Sequence, residues 1–308
     1  MPPNPLSYPS LKCVLENLEA IKRFHITART PSLQKIDKLV PIRMENLCMS
    51  RNELTINELS IAFMSNMAYN MKTRKSISYS VRSENPMKKA IDYYLVGRSK
   101  ILLNQLDSIK TTKIRMADDA ANLKLRVNCL NIRDQENFEP DFLLIHPDSF
   151  PLKAIKTTLI RTATSDHPII KSARSLILSI RHEYPPTQLE DIKKLENKTI
   201  VFDQGQFSFG KFSIFEFIRC LIESVPIGKT FILLQSDGYI TSHLSHVKMG
   251  YNRYSNPLDS VQERFIPGAP RFLIPINDTS SIQVYGIEEI KNGRKTEKVV
   301  FKVMPADC

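Results

Sequence analysis

The stretch closest to a nucleotide-binding motif is GQFSFGKFS, residues 205–213, which follows a strand-like run and precedes a helical one. Its spacing, G-x-x-x-x-G-K, is that of a loop whose backbone amides and lysine hold phosphates. The position after Lys211 is Phe212, where such a loop carries a magnesium-binding hydroxyl. Phe207 and Phe209 inside the loop favour a turn that packs on a core. We therefore interpret this stretch as a strand-to-helix turn.

Two further pairs have residue types that bind metals or transfer protons. His243 and His246 are three positions apart, so a helix would place both imidazoles on one face. No acid or cysteine follows at short spacing to complete a metal site, and we interpret the pair as surface or partly buried histidines. Asp118 and Asp119 are interpreted as a solvated turn or a helix start. The sequence therefore predicts a protein that is not an enzyme, with no cofactor and no metal.

Composition narrows the class of protein. The 308 residues are 42% apolar and 24% charged, which is typical of a globular chain. The first residues lack a basic segment followed by an apolar one, and no apolar run reaches the length of a membrane span. The five cysteines are scattered, without a C-x-x-C pair, which is typical of reduced thiols. We therefore expect an intracellular protein, cytoplasmic or nuclear or both, with no membrane partner.

The charge is basic and uneven. The net charge is +11, and residues 1–100 hold sixteen Lys and Arg against eight Asp and Glu. A basic surface attracts nucleic acids and acidic proteins alike. The chain has no arginine-rich run and no recognisable nucleic-acid motif. The pattern therefore favours an acidic protein partner over a nucleic acid.

The chain begins with short helices, the first of the elements that would position a site. Residues 6–40 have apolar residues at helical spacing, and the first stripe is formed by Leu11, Val14, Leu15 and Leu18. Residues 54–63 have strand character, and residues 73–83 alternate like an edge strand or loop. A further helix is predicted to begin at Pro86 and to stop at Gly97.

After residue 100 short strand-like runs recur. Their centres lie near residues 130, 155, 177, 201 and 233, and helical runs such as residues 212–224 lie between several of them. One strand and one helix in every 20 to 29 residues is the period of leucine-rich repeats, whose units stack into a solenoid. A plain α/β domain with irregular crossovers fits the same runs. Both interpretations stay open at this point.

The strands predicted at the C-terminus differ from these regularly spaced runs. Alternating runs around the turns at Asn277 and Asn292 predict an antiparallel β-hairpin over about residues 265–304 that caps or extends the preceding domain. The fold class is therefore α/β (α+β overall), with N-terminal helices, a degenerate leucine-rich-repeat-like β/α array and a hairpin appendage. We predict three parts: a helical segment over 1–41, a mixed β/α connecting region over 42–110, and the repeat-like domain with its hairpin over 111–308.

The N-terminal helices carry a resemblance. From Leu6 the chain has the outline L-x-x-P-x-L-x-x-V-L-x-x-L, followed five positions later by the basic Arg23. This outline resembles the F-box, the helical motif by which substrate receptors dock on the Skp adaptor of cullin–RING ubiquitin ligases. It departs from that motif at TARTPS, residues 27–32. Blocks such as YPSLKCVLENLEA and RFLIPINDTSSIQVYGIE are similar to the nematode F-box C family, which joins a divergent F-box to a long second domain.

The resemblance implies a non-enzymatic substrate-recognition subunit of a Skp–cullin–F-box ubiquitin ligase. Its partners would be a Skp-type adaptor with its cullin complex and a protein target that the sequence does not identify. Carried over position by position, the adaptor-binding residues would be Leu6, Pro9, Leu11, Val14, Leu15 and Leu18. We expect Leu6, Leu11 and Leu15 to be uncovered in the free chain. The alternative is a protein-binding, repeat-like scaffold whose N-terminal helices only cap the array.

Overall fold

The computed structural model describes the chain in twelve segments, with bounds at 8–50, 53–63, 67–70, 75–78, 86–108, 123–132, 142–157, 166–179, 192–204, 214–235, 239–291 and 294–306. The chain forms two compact units, unit 1 over Met1–Leu152 and unit 2 over Lys153–Cys308. None of the helices in the described segments is long and apolar enough to span a membrane. The predicted division at residues 41 and 110 stays a prediction.

Four helices lie in the described segments of unit 1. They are α1 (Tyr8–Asn17), α2 (Ala20–Ala28), α3 (Pro31–Leu39) and α4 (Pro86–Tyr94). Both α3 and α4 begin with a proline, which suits a first turn because the missing N–H has no partner there in any helix. The turn after α4 contains Gly97 at φ +75°, a left-handed conformation that glycine adopts without strain. The helices predicted over residues 6–40 and from Pro86 are confirmed within the described residues.

Seven described strands of unit 1 form a mixed sheet. They are β1 (Ile42–Met49), β2 (Glu53–Ile56), β3 (Leu59–Ala62), β4 (Met67–Asn70), β5 (Lys75–Ser78), β6 (Ile101–Ser108) and β7 (Leu125–Ile132). Their order is β7-β6-β1-β2-β3-β4-β5. The pairs β7–β6 and β6–β1 are parallel, and every pair from β1 to β5 is antiparallel. The 3₁₀ turn Pro147–Ser149 contacts β7.

The three parallel strands of unit 1 place their apolar side chains in register. Each strand buries residues at its first, third and sixth positions: Ile42, Met44 and Leu47 on β1; Ile101, Leu103 and Leu106 on β6; Leu125, Val127 and Leu130 on β7. Equivalent residues pair across the ladder, so three apolar rows run across the strands. Such rows stabilise stacked parallel strands because each buried side chain covers the equivalent one on the next strand.

Unit 2 begins with four parallel strands in chain order. They are β8 (Ala154–Thr157), β9 (Ser175–Ser179), β10 (Thr199–Gln204) and β11 (Thr230–Gln235), joined side by side as β8-β9-β10-β11. The described helices of this unit are α5 (Pro168–Ser172), α6 (Ile214–Ser224) and α7 (Tyr239–Tyr251), and the 3₁₀ turn Asn252–Tyr254 follows α7. Sequential parallel strands are the arrangement expected of a repeat-like array. The strand centres predicted from the sequence are confirmed.

The core of unit 2 is organised around the ring of Phe217 on α6. Its ring centroid lies 5.9 Å from that of Phe202 on β10, 5.7 Å from that of Phe231 on β11 and 5.2 Å from that of Phe301. All three contacts are edge-to-face, an arrangement that adds to the burial of the rings. The helix is therefore attached to the sheet by an aromatic cluster.

The C-terminal antiparallel hairpin is confirmed, and it extends the sheet of unit 2. Strands β12 (Phe272–Asn277), β13 (Ser280–Lys291) and β14 (Arg294–Pro305) pair antiparallel with one another in that order. Strand β14 also pairs antiparallel with β11. The hairpin therefore continues the sheet beyond its four parallel strands, and the fold is α/β with N-terminal helices, mixed sheets and a C-terminal hairpin.

Candidate functional site

The structure places the predicted adaptor-binding residues at different depths. Val14 is 45% exposed and Pro9 is also exposed, whereas Leu11 and Leu18 are half-buried. Leu15 is only 1% exposed. Consecutive helical residues point about 100° apart, so a helix that packs on one side can cover Leu15 and leave Val14 at the surface. The predicted stripe is therefore divided between the core and the surface.

The expectation that Leu15 is uncovered in the free chain is wrong. Leu15 belongs to the buried apolar residues of the helical group, together with Ala20, Ile21 and Phe24 on α2. Helix α1 packs on α3, and α2 packs on both α3 and β1, so the chain itself covers this side of α1. Leu6, for which the same exposure is expected, lies outside the described residues.

Apolar residues around the covered Leu15 remain exposed or half-buried. We call the α1 edge the set formed by Tyr8, Pro9, Leu11, Val14 and Leu18. Tyr8 is 53% exposed, and the sequence analysis left it out although it precedes Leu11 by three residues, a spacing that places both on one side of a helix. Ile26 on α2, 44% exposed, was also left out. The N-terminal helices therefore present apolar side chains to solvent, even though Leu15 is buried.

A buried ion network fastens these helices together. Arg23 on α2 and Asp37 on α3 are 1% and 2% exposed, and Arg23 Nε donates to Asp37 Oδ1. The same guanidinium donates to the carbonyls of Asp37 at 2.6 Å and Leu15 at 3.2 Å. It also donates to the carbonyls of Val40 at 2.7 Å and Pro41 at 2.8 Å. One side chain thus joins α1, α3 and the segment that enters β1.

Arg98 holds the second oxygen of the same carboxylate. It lies in the turn between α4 and β6, where its Nη2 donates to Asp37 Oδ2 at 2.7 Å and its Nε to the Tyr94 carbonyl at 2.6 Å. Its guanidinium carbon lies 5.1 Å from the centroid of the Phe24 ring, which packs edge-on against Tyr94. The Arg98 side chain is 2% exposed. Asp37 therefore connects α3 to the entrance of β6.

This network carries more positive than negative charge. Two guanidinium groups surround one carboxylate, which leaves a net charge of +1 in the interior. Burial lowers the pKa of Arg98, while the hydrogen bond and the charge of Asp37 act in the opposite direction. Arginine stays protonated in proteins, so loss of Asp37 would leave two buried cations without a counter-charge.

Glu19 provides a second connection between the helices and the sheet. Its Oε2 accepts hydrogen bonds from the Ile21 amide at 3.0 Å and the Lys22 amide at 3.2 Å, which caps α2. Its Oε1 accepts from Asn57 Nδ2 at 2.6 Å, and Asn57 Oδ1 in turn accepts from the Glu45 amide of β1 at 2.8 Å. The N-terminal helices are therefore an integral part of unit 1.

The other residues considered in the sequence analysis do not form a described site. Residues 205–213 and the pair Asp118 and Asp119 lie outside the described residues. His243 and His246 both lie on α7, and burial, together with the nearby His246, lowers the pKa of His243. Within the described segments, no group of three or more His, Cys, Asp or Glu side chains is placed to hold a metal ion.

Comparison with known proteins found a match between part of the chain and the model of one protein family. The model of a domain of unknown function, DUF3557, matches residues 83–234, a little under half of the chain. The chain is similar to this family there. The match runs from α4 to β11 and leaves out the N-terminal helices. No curated protein and no solved structure matches the chain.

Proposed function

We propose that this chain is a non-enzymatic adaptor, the substrate-recognition subunit of a Skp–cullin–F-box ubiquitin ligase, and a member of the nematode F-box C family. The observation that supports the proposal is the α1 edge, where Val14 and Tyr8 are 45% and 53% exposed beside the exposed Pro9. An apolar helix edge next to a well-packed core is the kind of surface that binds an apolar groove of a partner. We place the protein in the cytoplasm or nucleus, where such ligases act.

In this role the chain needs no chemistry of its own. The N-terminal helices bind the Skp-type adaptor, and another surface of the chain binds a protein target. Holding the target close to the catalytic subunits raises its effective concentration there. Leu15 then has a supporting role, because its burial orients α1 so that Val14 and Leu11 lie at the surface.

A second candidate function is that of a protein-binding scaffold whose N-terminal helices only cap the array of strands. Two observations favour it: Leu15 is 1% exposed, and the Asp37–Arg98 ion pair ties the helices to the sheet of unit 1. A cap needs this attachment because it covers the open end of a stacked core. A docking helix needs an exposed Val14 for contact with its partner, whereas a cap does not. Substitution of Val14 therefore distinguishes the two functions.

Co-expression with a Skp-type adaptor tests the proposal. The full chain should co-purify with the adaptor, and the combined variant Pro9→Ala, Leu11→Ala and Val14→Asp should not. Ile227→Asp is the matched control, since Ile227 is 51% exposed and belongs to unit 2. Circular dichroism of each variant establishes that it is folded. If the unaltered chain does not associate with the adaptor, the ligase proposal is wrong. If the combined variant fails to fold, the cap is favoured instead.

A further inference from the structure

Unit 1 contains a cleft of about 400 Å³ at the start of strands β6 and β7. Its walls are the turn 95–101 between α4 and β6, the residues 123–126 that enter β7, and His146. Because β6 and β7 are adjacent and parallel, residues just before Ile101 and Leu125 are neighbours in space. The cleft therefore joins two chain segments that are more than twenty positions apart. Its volume lies in the range typical of ligand sites.

Basic side chains surround this cleft. Lys100, Lys124 and Arg126 line it, and none of the described residues that line it is acidic. Lys38 also reaches the rim, since a Cβ on Gly97 would lie 3.5 Å from its Nζ. Within the described part of the chain, Lys38 and Lys100 make no ion pair. Their ammonium groups are therefore available to an anionic ligand.

Among the described residues, two acids pair with side chains that line the cleft: Asp37 with Arg98, and Asp148 with Arg126. Asp148 Oδ2 accepts a hydrogen bond from Arg126 Nη2 at 2.6 Å, and the two side chains are 57% and 38% exposed. Exposed ion pairs contribute little and exchange partners readily. Asp148 therefore neutralises Arg126, whereas Lys100 and Lys124 make no ion pair within the described residues.

The wall behind the cleft adds positive potential. Arg98 lines the cleft and belongs to the buried network in which two arginines surround Asp37. That network has a net charge of +1, and charges in a low-dielectric interior are screened less than those in water. A cleft lined by one sign of charge concentrates ligands of the opposite sign.

Two exposed leucines contact residues of the cleft through their backbone carbonyls. Leu39 is 65% exposed and Leu143 is 70% exposed. Each is held beside the cleft through its carbonyl, which accepts from Ser99 Oγ at 2.9 Å in the case of Leu39 and from Lys124 Nζ at 3.4 Å in the case of Leu143. Neither leucine is among the residues that line the cleft, and each offers apolar area to a ligand that extends beyond it.

We propose that this cleft binds an acidic peptide segment of another protein, whose carboxylates meet Lys100 and Lys124 and whose apolar side chains meet Leu39 and Leu143. A nucleic acid fits less well, because single-stranded bases bind by stacking on aromatic rings and no phenylalanine, tyrosine or tryptophan is among the described residues that line the cleft. The cleft is separate from the α1 edge. The proposal therefore stands whether or not the chain binds a Skp-type adaptor.

Fluorescence anisotropy with the full chain tests this proposal. The probe is a labelled twelve-residue peptide that alternates glutamate and leucine. Two comparison peptides replace either every glutamate by glutamine or every leucine by serine. We expect the probe to bind and each comparison peptide to bind at least about tenfold more weakly, since each lacks one of the two kinds of contact. Equal binding of the probe and the glutamine peptide would overturn the proposal.

Charge-reversed variants locate the binding. Lys100→Glu with Lys124→Glu should weaken binding of the probe by roughly tenfold or more, because two attractive contacts become repulsive. Lys35→Glu with Lys89→Glu is the matched control, since both residues are exposed lysines of unit 1 outside the cleft, and its effect should stay within about threefold. Lys100→Arg with Lys124→Arg keeps both positive charges and should retain binding. If it does, substitution at these two positions does not by itself unfold the chain, and the weaker binding of the charge-reversed variant comes from lost contacts. Equal losses in the two charge-reversed variants would contradict a specific site.

A single-stranded oligonucleotide of equal net charge completes the experiment. It should bind more weakly than the peptide and should not displace it at equal concentration. If the oligonucleotide binds more tightly and loses affinity only in the cleft variant, the cleft is a nucleic-acid site and the peptide proposal is wrong.

Discussion

The carboxylate of Asp37 accepts a hydrogen bond from Arg98 Nη2 at 2.7 Å, although the two residues are 61 positions apart in the chain. Arg23 holds the other oxygen of the same carboxylate, so one acid joins two helices and the turn that enters β6. The N-terminal helices and the sheet of unit 1 are therefore coupled through a single side chain. Through Arg23 the network also contacts α1 at the Leu15 carbonyl, on a helix where Leu15 is covered and Val14 is exposed.

Replacing Asp37 should destabilise the chain strongly. Asp37→Asn leaves Arg23 and Arg98 buried without a counter-charge, and breaking a buried ion pair in this way costs about 3–5 kcal/mol. Glu16→Gln is the control, because Glu16 and Lys12 form an exposed pair at 3.9 Å whose loss should change stability by about 0.5 kcal/mol or less. Urea unfolding followed by circular dichroism measures both. Similar midpoints for the two variants would show that the buried network does not stabilise the fold.

Neighbouring residues of α1 should respond differently to truncation. Leu15→Ala removes a side chain that is 1% exposed and should lower the free energy of unfolding by about 2–5 kcal/mol. Val14→Ala, at a position 45% exposed, should lower it by about 0.5 kcal/mol or less. Thermal or urea unfolding of the two variants tests which side of the helix is covered. A larger loss for Val14→Ala would mean that α1 is rotated from the orientation described above.

Two asparagines should differ in their tolerance of an aspartate. Asn197 is 2% exposed, and its Nδ2 donates to the carbonyls of Ile170 and Ala173, each at 2.8 Å. A carboxylate cannot donate there, so Asn197→Asp buries a charge beside two oxygens and should cost about 3 kcal/mol or more.

The matched substitution is Asn277→Asp. Asn277 Oδ1 accepts hydrogen bonds from the Thr279 amide and the Ser280 hydroxyl, each at 2.9 Å, and a carboxylate oxygen can accept both. We expect a change of about 0.5 kcal/mol or less in the free energy of unfolding. Equal losses for Asn197→Asp and Asn277→Asp in urea unfolding would contradict the assignment of donor and acceptor roles.

The stability of the chain should fall in alkali because of Tyr285. This residue is fully buried, and burial, followed by the charge of Glu263 and its hydrogen bond to the phenol, raises the pKa of Tyr285. The unfolded chain ionises the same phenol near pH 10, whereas the folded chain keeps the proton. The contribution of the protonated phenol is therefore complete below about pH 10 and is lost as the pH rises above it.

Tyr285→Phe isolates this effect. The variant loses one hydrogen bond at every pH, but its free energy of unfolding should fall less steeply above pH 10 than that of the unaltered chain. The two slopes should differ by at most roughly 1.4 kcal/mol per pH unit, the value for one proton. Urea unfolding at intervals from pH 8 to pH 11.5 provides the comparison. Parallel curves would show that Tyr285 ionises as easily in the folded chain as in the unfolded one.

Local sequence predicted the elements whose pattern is regular. The strand-like runs near residues 155, 177, 201 and 233 are strands β8 to β11. Strands β13 and β14 pair antiparallel, while the turn predicted at Asn292 lies outside the described residues. Strands β1 and β6 were not predicted, although their buried residues have the same first, third and sixth spacing as those of β7, which was predicted. Only the pairing of β1 with β6 brings these positions into rows.

The candidate site depends on contacts that periodicity does not reveal. Leu15 and Val14 belong to the same apolar stripe, and only the packing of α1 on α3 determines which of them is covered. The basic cleft was missed for a related reason. Lys100 and Lys124 become neighbours because they precede two adjacent parallel strands, and a single sequence does not specify that pairing.

The central claim is that the α1 edge is a docking surface for a Skp-type adaptor, and the dissociation constant of the purified pair tests it most directly. Isothermal titration calorimetry would compare the full chain with Val14→Asp and with Ile227→Asp, whose parent side chains are 45% and 51% exposed. The account predicts that Val14→Asp weakens binding by about tenfold or more, whereas Ile227→Asp binds as the unaltered chain does. No measurable binding of the unaltered chain, or equal binding of all three proteins, would contradict it.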